Sequence, residues 1–125
     1  MNTDDGGLVR ISERIIGCAF TVANTLGAGF VEKVYENALA HELRKSGLVV
    51  EQQRSVTVKY DGVTVGEYAA DILVDDSVIV ELKAVRGLDD IHRAQCLNYL
   101  KATGLRLCLL INFGNPRLEV KRLML

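Results

Sequence analysis

Three ionisable residues lie in a stretch that otherwise has the pattern of buried β-strand. Residues 68–85 form two apolar runs joined by a short polar segment, which is typical of a β-hairpin. Successive side chains of a strand point to opposite faces, so Ile79, Glu81 and Lys83 share one face of the second run. Asp71 interrupts the first run in the same way. Because an unpaired buried charge is costly, the pattern predicts that these groups are paired or bind a metal.

The types and positions of these three residues are suited to metal-dependent chemistry. Mg²⁺ binds one or two protein carboxylates together with water and substrate phosphate oxygens, so Asp71 and Glu81 match its needs, with Mn²⁺ as a substitute. Lys83 lies about 6.5–7 Å from Glu81 along the strand. There it can orient or deprotonate a water molecule, or offset charge in a transition state.

Two other interpretations of the same residues stay open. Asp71, Glu81 and Lys83 can form a buried salt-bridge network that satisfies the same charges without a metal. Alternatively, the strand lies at a sheet edge and Glu81 and Lys83 form a solvated pair of little energetic value. The apolar residues on both sides of the pair favour a strand that is covered on both faces.

Further candidate residues lie on a helix predicted at residues 30–46. At about 100° per residue, Glu32 and Glu36 fall on the side that carries Tyr35 and Leu39. The glutamates either lie at the edge of this side, where they favour the helix N-terminal half electrostatically, or belong to a site.

The other helices and strands follow from periodicity and turn signals. A helix at 8–26 with one apolar stripe ends before a glycine-containing break at 27–29. Strands are predicted at 49–60 and 63–74, with a bend at Gly66, and together with the strand of Glu81 they form a three-stranded meander.

The C-terminal part of the chain predicts one helix and two strands. Asp89 or Asp90 caps a helix that runs to about Thr103 and ends at Gly104, and strands follow at 105–113 and 118–125. Gln95 and Tyr99, four residues apart on this helix, can reach the same place, either a site or the rim of the core.

Length and composition predict a single domain over residues 1–125, with residues 1–7 flexible. The formal net charge of -1 excludes a global basic field that would attract nucleic acid or anionic lipid. Short apolar stretches and an acidic N-terminus indicate a cytoplasmic protein without a membrane span. Three cysteines without metal-ligand spacing indicate buried free thiols; they are Cys18, Cys96 and Cys108.

The order of the acidic and basic residues resembles that of the PD-(D/E)XK nuclease superfamily. Asp71 is followed ten residues later by Glu81-Leu82-Lys83, and Ala70 stands where the superfamily loosely keeps a proline. Two further motifs extend the resemblance to about residues 26–110.

The first of these motifs is Gly29-x-x-Glu32-x-x-Tyr35, which fits the GxxExxY signature of one small group of bacterial and archaeal proteins within that superfamily. The second is Gln95-x-x-x-Tyr99, which is similar to the QxxxY element of its exonuclease-like branches. The three elements occur in the same order as in the superfamily.

This resemblance implies an α/β fold of the restriction-endonuclease-like type. The fold has an αβββαβ core, a mixed central sheet flanked by helices, and here an extra N-terminal helix and C-terminal strand. The implied activity is Mg²⁺-dependent hydrolysis of DNA phosphodiester bonds at the fork between the strands of Asp71 and Glu81.

The resemblance also implies a role for each motif residue. Asp71 and Glu81 become Mg²⁺ ligands, the Leu82 carbonyl becomes a further ligand, and Lys83 activates water. Glu36, or as a second choice Glu32, becomes a helix-borne acid near the metal. Gln95 and Tyr99 shape the site or contact the phosphate backbone. The resemblance assigns no definite role to Gly29 and Tyr35.

Three functions remain open at this point. The chain is a nuclease; or it is a non-cleaving binding or regulatory module that keeps the fold, which its near-neutral charge favours; or it has a structural ion-pair core with its function elsewhere. The small size and weak charge do not explain how the chain would bind nucleic acid tightly. A homodimer or a partner protein is therefore expected to provide further contacts.

Overall fold

The computed structural model describes residues 5–125 of the chain, which contain three helices and five strands. They are α1 (Asp5–Leu26), α2 (Glu32–Lys45), β1 (Val50–Tyr60), β2 (Val63–Val74), β3 (Val78–Lys83), α3 (Asp90–Thr103), β4 (Leu107–Asn112) and β5 (Glu119–Met124). Of the segment predicted to be flexible, residues 5–7 belong to α1, and residues 1–4 lie outside the described part of the chain. No helix between residues 5 and 125 is long and apolar enough to cross a membrane.

The five strands form one mixed sheet in the order β1-β2-β3-β4-β5. Three of the four neighbouring pairs are antiparallel, and β3 and β4 are parallel. A parallel pair needs a crossover connection, which α3 provides. The predicted α/β fold with a mixed central sheet is confirmed, and the meander of β1, β2 and β3 is present.

Helices cover both faces of the sheet. The apolar side chains of α1 and α2 pack with Val78, Val80 and Leu82 of β3, whereas Ile79 packs with α3. The predicted alternation along β3 is therefore confirmed, and Glu81, two residues after Ile79, points to the α3 side. This central position rules out the solvated pair at a sheet edge.

The β2 and β3 strands separate after a short antiparallel ladder. They pair only from Val74↔Val78 to Ile72↔Val80. Beyond that point β2 continues against β1, and β3 continues in parallel with β4 as far as Lys83↔Asn112. The separation produces the expected fork, with Asp71 on one branch and Glu81 on the other.

The α1–α2 connection is held by the tyrosine of the Gly-x-x-Glu-x-x-Tyr motif. The Tyr35 hydroxyl donates to the Gly27 carbonyl oxygen at 2.6 Å and accepts from the Phe30 N–H at 3.1 Å. Its buried ring stacks on Phe113, with 4.7 Å between centroids. Gly29 has a φ of 116°, which favours glycine strongly. These two motif residues shape the turn that sets α2 against the sheet.

Replacing Tyr35 with phenylalanine should therefore destabilise the protein by about 1–3 kcal/mol, because it leaves a carbonyl and an N–H unpaired in a partly buried turn. Denaturant unfolding would measure the loss. Tyr60→Phe is the matched control: Tyr60 is 75% exposed, and its substitution should change the free energy of unfolding by less than about 0.5 kcal/mol. Equal stability of the two variants would show that the turn does not depend on the Tyr35 hydroxyl.

Most predicted boundaries agree with the structure to within two residues. The α3 helix has Asp89 as its N-cap and Gly104 as its left-handed C-cap, as the turn signals indicated. The β1–β2 register shifts next to Gly66, where a bend was expected. All three cysteines are free, as predicted, and Cys96 and Cys108 are buried; the expected burial is wrong for Cys18, which is partly exposed on α1.

Candidate active site

Two carboxylates meet where β2 and β3 separate, and each is bound by the backbone of the other strand. The Asp71 N–H donates to Glu81 Oε1 at 2.9 Å, and the Leu82 N–H donates to Asp71 Oδ2 at 2.8 Å. Glu81 is only 3% exposed, and Asp71 is half-buried. The fork thus holds both acids side by side, and neither forms an ion pair with another residue of the described part of the chain.

The main chain at the fork adds one further oxygen. In an extended strand the N–H and C=O of one residue point to the same edge, so the Leu82 carbonyl faces the edge from which its N–H reaches Asp71. Glu81 Oε2 has no protein donor among residues 5–125. The oxygens available at the fork come from two carboxylates and one carbonyl.

This set of donors fits Mg²⁺ better than it fits a transition metal. Between residues 5 and 125, no three side chains of His, Cys, Asp or Glu are grouped so that they could hold an ion together. A structural zinc site needs four such ligands, whereas Mg²⁺ keeps several waters and takes one or two carboxylates. Asp71, Glu81 and the Leu82 carbonyl would be the residues to hold it.

Burial and crowding of negative charge disfavour the ionised acids. Burial, with the negative charge of Asp71 next in size, raises the pKa of Glu81 to about 8. Burial also raises the pKa of Asp71, against the lowering effect of its hydrogen bonds from Leu82 and Gln53. A bound cation would relieve this repulsion, and strongly perturbed carboxylates are typical of functional sites.

Lys83 lies on the same face of β3 as Glu81, and its positive charge lowers the pKa of that carboxyl slightly against the larger raising effects. Its side chain is half-buried. None of the ion pairs among the described residues includes Lys83, Asp71 or Glu81. The alternative of a buried salt-bridge network is therefore wrong, and the lysine amine is not held by either acid.

A third acid approaches the fork from α2. Glu36 is 4% exposed, and it accepts from Gln52 Nε2 at 2.7 Å, from Gln53 Nε2 at 2.8 Å and from Lys33 Nζ at 3.1 Å. Gln53 Nε2 also lies 3.3 Å from Asp71 Oδ1. One glutamine amide therefore joins the helix-borne acid to the acid at the fork.

A model of the PD-(D/E)XK nuclease superfamily matches residues 9–123, which is nearly the whole chain. The chain belongs to the PD-(D/E)XK nuclease superfamily. No curated protein matches it. The finer assignment to the GxxExxY group rests on the sequence motif alone.

Two solved structures share the PD-(D/E)XK fold of this chain at low sequence identity. An alkaline exonuclease, LHK-Exo from Laribacter hongkongensis, has 15% identity and a TM-score of 0.54 over 74% of this chain and 55% of its own. A protein named SSO0001 has 17% identity and a TM-score of 0.56 over 74% of this chain and 48% of its own. The chain spans about half the length of these neighbours.

The α3 helix brings the Gln-x-x-x-Tyr pair of this PD-(D/E)XK protein together, as predicted. Gln95 Nε2 donates to the Tyr99 hydroxyl oxygen at 3.1 Å. Tyr99 is 5% exposed, and burial together with the negative charge of Glu81 raises the pKa of its phenol to about 12. Tyr99 therefore stays protonated at neutral pH and can act as a hydrogen-bond donor.

The two helix-borne glutamates of the PD-(D/E)XK protein differ from the sequence expectation. Both were placed on the apolar side of α2, but only Glu36 is buried, whereas Glu32 is exposed in the first turn. Lys33 also reaches Glu36, with 3.1 Å between its Nζ and Glu36 Oε1. Residues three apart on a helix are neighbours, and a flexible lysine spans the remaining angle.

Sequence reasoning missed Gln53, the residue that joins Glu36 to Asp71. Gln53 has a positive φ of 55°, and it interrupts the β1–β2 ladder between the pairs Gln52↔Ile72 and Arg54↔Ala70. Positive φ is uncommon outside glycine, and strained backbone often accompanies functional sites. No sequence signal identifies it, since a neutral amide in a strand is ordinary.

Proposed function

We propose that this protein is a Mg²⁺-dependent nuclease that hydrolyses DNA phosphodiester bonds. The observation that carries the proposal is the pair of carboxylates at the fork, Asp71 and Glu81, each bound by the backbone of the other strand, with Lys83 beside them and in no ion pair within residues 5–125. Membership of a nuclease superfamily supports this proposal. The Gly29, Glu32 and Tyr35 pattern supports placing the protein in the GxxExxY group.

The residues at the fork have different roles in the proposed hydrolysis. Asp71, Glu81 and the Leu82 carbonyl would hold Mg²⁺, or Mn²⁺ in its place. When bound, the ion supplies Lewis-acid polarisation of the phosphate and neutralises negative charge. Lys83, two residues from Glu81, takes a proton from the attacking water or stabilises the extra negative charge of the phosphorane-like transition state.

The remaining residues position this group. Gln53 holds the Asp71 carboxylate from one side, and Glu36 holds Gln53 in turn. Tyr99, protonated and oriented by Gln95, donates a hydrogen bond to a phosphate oxygen of the substrate. The net charge of -1 gives the chain little electrostatic attraction for nucleic acid. Further contacts with a long substrate therefore come from a second copy of the chain or from a partner protein.

Incubating the protein with labelled DNA tests the proposal directly. We expect cleavage with Mg²⁺ or Mn²⁺, none with a chelator, and none after Asp71→Asn, which keeps the size of the side chain. Single-stranded DNA, duplex DNA and RNA of one sequence would define the substrate. Asp61→Asn, in the exposed β1–β2 turn, is the matched control and should leave cleavage unchanged.

The second candidate is a non-cleaving binding or regulatory module. The backbone hydrogen bonds of Asp71 and Glu81 favour it, because they give both acids a structural role that does not need catalysis. Nucleic acid binding without cleavage at any divalent ion concentration would support the module. Cleavage that persists in Asp71→Asn would contradict the site itself.

A further inference from the structure

A cleft of about 990 Å³ lies between the β1–β2 hairpin and α3. One wall comes from β1 and β2 and the other from α3, and Leu73 and Ile79 contribute to its lining. Its volume is at the upper end of the range for small-molecule pockets. The cleft is thus large enough for a flexible ligand of several linked units, and too small for a folded domain.

The cleft lies close to the candidate active site, since residues two positions from both acids line it. Ile79 precedes Glu81 by two residues on the same face of β3, which is a step of about 6.6 Å. Leu73 follows Asp71 by two residues in β2. Tyr99 lines the cleft, and its phenol lies within the electrostatic influence of both acids. A chain lying in this cleft would therefore pass the fork.

The lining of the cleft is positively charged although the whole chain is not. Lys59 of β1 and Lys101 of α3 contribute from opposite walls, and neither makes an ion pair with the described residues. Asp76 is the one acid among the lining residues. Its Oδ1 lies 3.9 Å from Nη1 of Arg54, which also lines the cleft. Two ammonium groups carried by opposite walls of one cleft suit a ligand with repeated negative charges.

An aromatic surface lies in the same cleft. Tyr68 is 55% exposed, and its ring centroid is 6.1 Å from that of Tyr99. Exposed aromatic rings beside cationic side chains are the features on which unpaired bases stack. Paired bases of a duplex offer no free face for such stacking, except at an end.

We propose that this cleft binds a single, unpaired strand of nucleic acid, with a base on Tyr68 and phosphates at Lys59 and Lys101, and guides the strand to the fork. The proposal rests on the proposed nuclease function for what happens at the fork, but the binding itself does not need cleavage. A duplex has two backbones separated by grooves about 12 and 6 Å wide. It is therefore too wide for a cavity of this size.

Fluorescence anisotropy with labelled oligonucleotides of about ten residues tests the proposal. Oligo(dT), oligo(U) and a duplex of similar length are titrated with Ca²⁺ in place of Mg²⁺, and a gel checks that each probe stays intact. We expect an unpaired probe to bind more tightly than the duplex, and the two single-stranded probes distinguish DNA from RNA. Equal or tighter binding of the duplex would overturn the proposal.

Variants of the cleft sharpen this test. Tyr68→Ala should weaken single-strand binding about tenfold, because one base loses the ring on which it stacks, whereas Tyr68→Phe should bind like the natural protein. Tyr60→Ala, in the same hairpin but outside the lining, is the control. The double variant Lys59→Gln with Lys101→Gln should reduce the slope of log K against log salt by about 1.4.

The outcomes separate this proposal from the proposed function. Normal Mg²⁺-dependent cleavage with unchanged binding by Tyr68→Ala would reject the cleft and keep the nuclease. Tyr68-dependent binding without any cleavage would keep the cleft and reject the nuclease. A concentration-dependent dimer that Tyr68→Ala disrupts, with no oligonucleotide binding, would show that a second copy of the chain covers the cleft and would overturn the proposal.

Discussion

Replacing Lys83 with methionine should lower the rate of DNA cleavage by about 10²–10⁴-fold, the range usual for a group that transfers a proton in the transition state. Methionine keeps most of the length and apolar surface of the stem but removes the amine. Because Lys83 makes no ion pair with the described residues, its loss leaves no unpaired acid behind. Single-turnover cleavage at saturating Mg²⁺ measures the effect.

Mg²⁺ binding should persist in this variant, since both carboxylates and the Leu82 carbonyl are unchanged. A Mg²⁺-dependent rise in melting temperature, compared between Lys83→Met and the natural protein, tests this point. Lys121→Met, on an exposed position of β5, is the matched control and should cleave normally. Full activity of Lys83→Met would show that another group activates the water.

Replacing Glu81 with glutamine should raise the stability of the metal-free protein at pH 8 and abolish its response to Mg²⁺. The carboxyl of Glu81 has its pKa raised from 4.5 to about 8 by burial and by Asp71. At 1.36 kcal/mol per pKa unit, the rise from 4.5 to about 8 destabilises the fold by roughly 4 kcal/mol at pH 8, where about half of the folded molecules still carry the proton. Glutamine removes this cost, and its amide oxygen can still accept from the Asp71 N–H.

The dependence on pH follows from the direction of the same shift. Because the folded pKa of Glu81 is higher than the unfolded value, the protonated acid stabilises the fold. This stabilisation is complete below about pH 4.5 and is lost as the pH rises through about 8. The raised pKa of Asp71 acts in the same direction. Metal-free natural protein should therefore lose stability from pH 5 to pH 8.5 more steeply than Glu81→Gln.

Thermal melting with and without Mg²⁺ checks both parts of this prediction. At pH 8 without metal, Glu81→Gln should melt at least about 5 °C higher than the natural protein. With Mg²⁺ at about a hundred times its dissociation constant, the natural protein should gain about 2.7 kcal/mol and the variant nothing. Glu13→Gln, on the exposed side of α1, should match the natural protein throughout. A lower melting temperature for metal-free Glu81→Gln would show that ionised Glu81 stabilises the fold.

The arrangement along β3 could be predicted from sequence because it follows from covalent geometry. Alternation places Glu81 and Lys83 on one face whatever the rest of the chain does, and the structure shows Glu81 buried on the side of α3. The caps of α3 were predictable for a similar reason, since Asp89 and Gly104 act on the turns next to them.

The partners of the acids could not be predicted in this way. Alternation does not show where β2 leaves β3, and the fork was expected only through the resemblance to a nuclease superfamily. The bridge from Glu36 through Gln53 to Asp71 depends on a strand distortion that no local pattern indicates. The difference in burial between Glu32 and Glu36 depends on how α2 is placed on the sheet, and the 3.6-residue period does not determine this placement.

The exchange of hydrogen bonds at the fork has a consequence for how related chains diverge. The carboxylates of Asp71 and Glu81 hold the N–H groups of Leu82 and Asp71, so they close the gap between two strands even in an inactive protein. A related chain without catalysis would still need an acceptor oxygen at each of these two positions, which a carboxylate or a side-chain amide can supply, whereas no such hydrogen bond holds the amine of Lys83. Loss of the lysine, or exchange of an acid for its amide, should therefore mark the related chains that do not cleave.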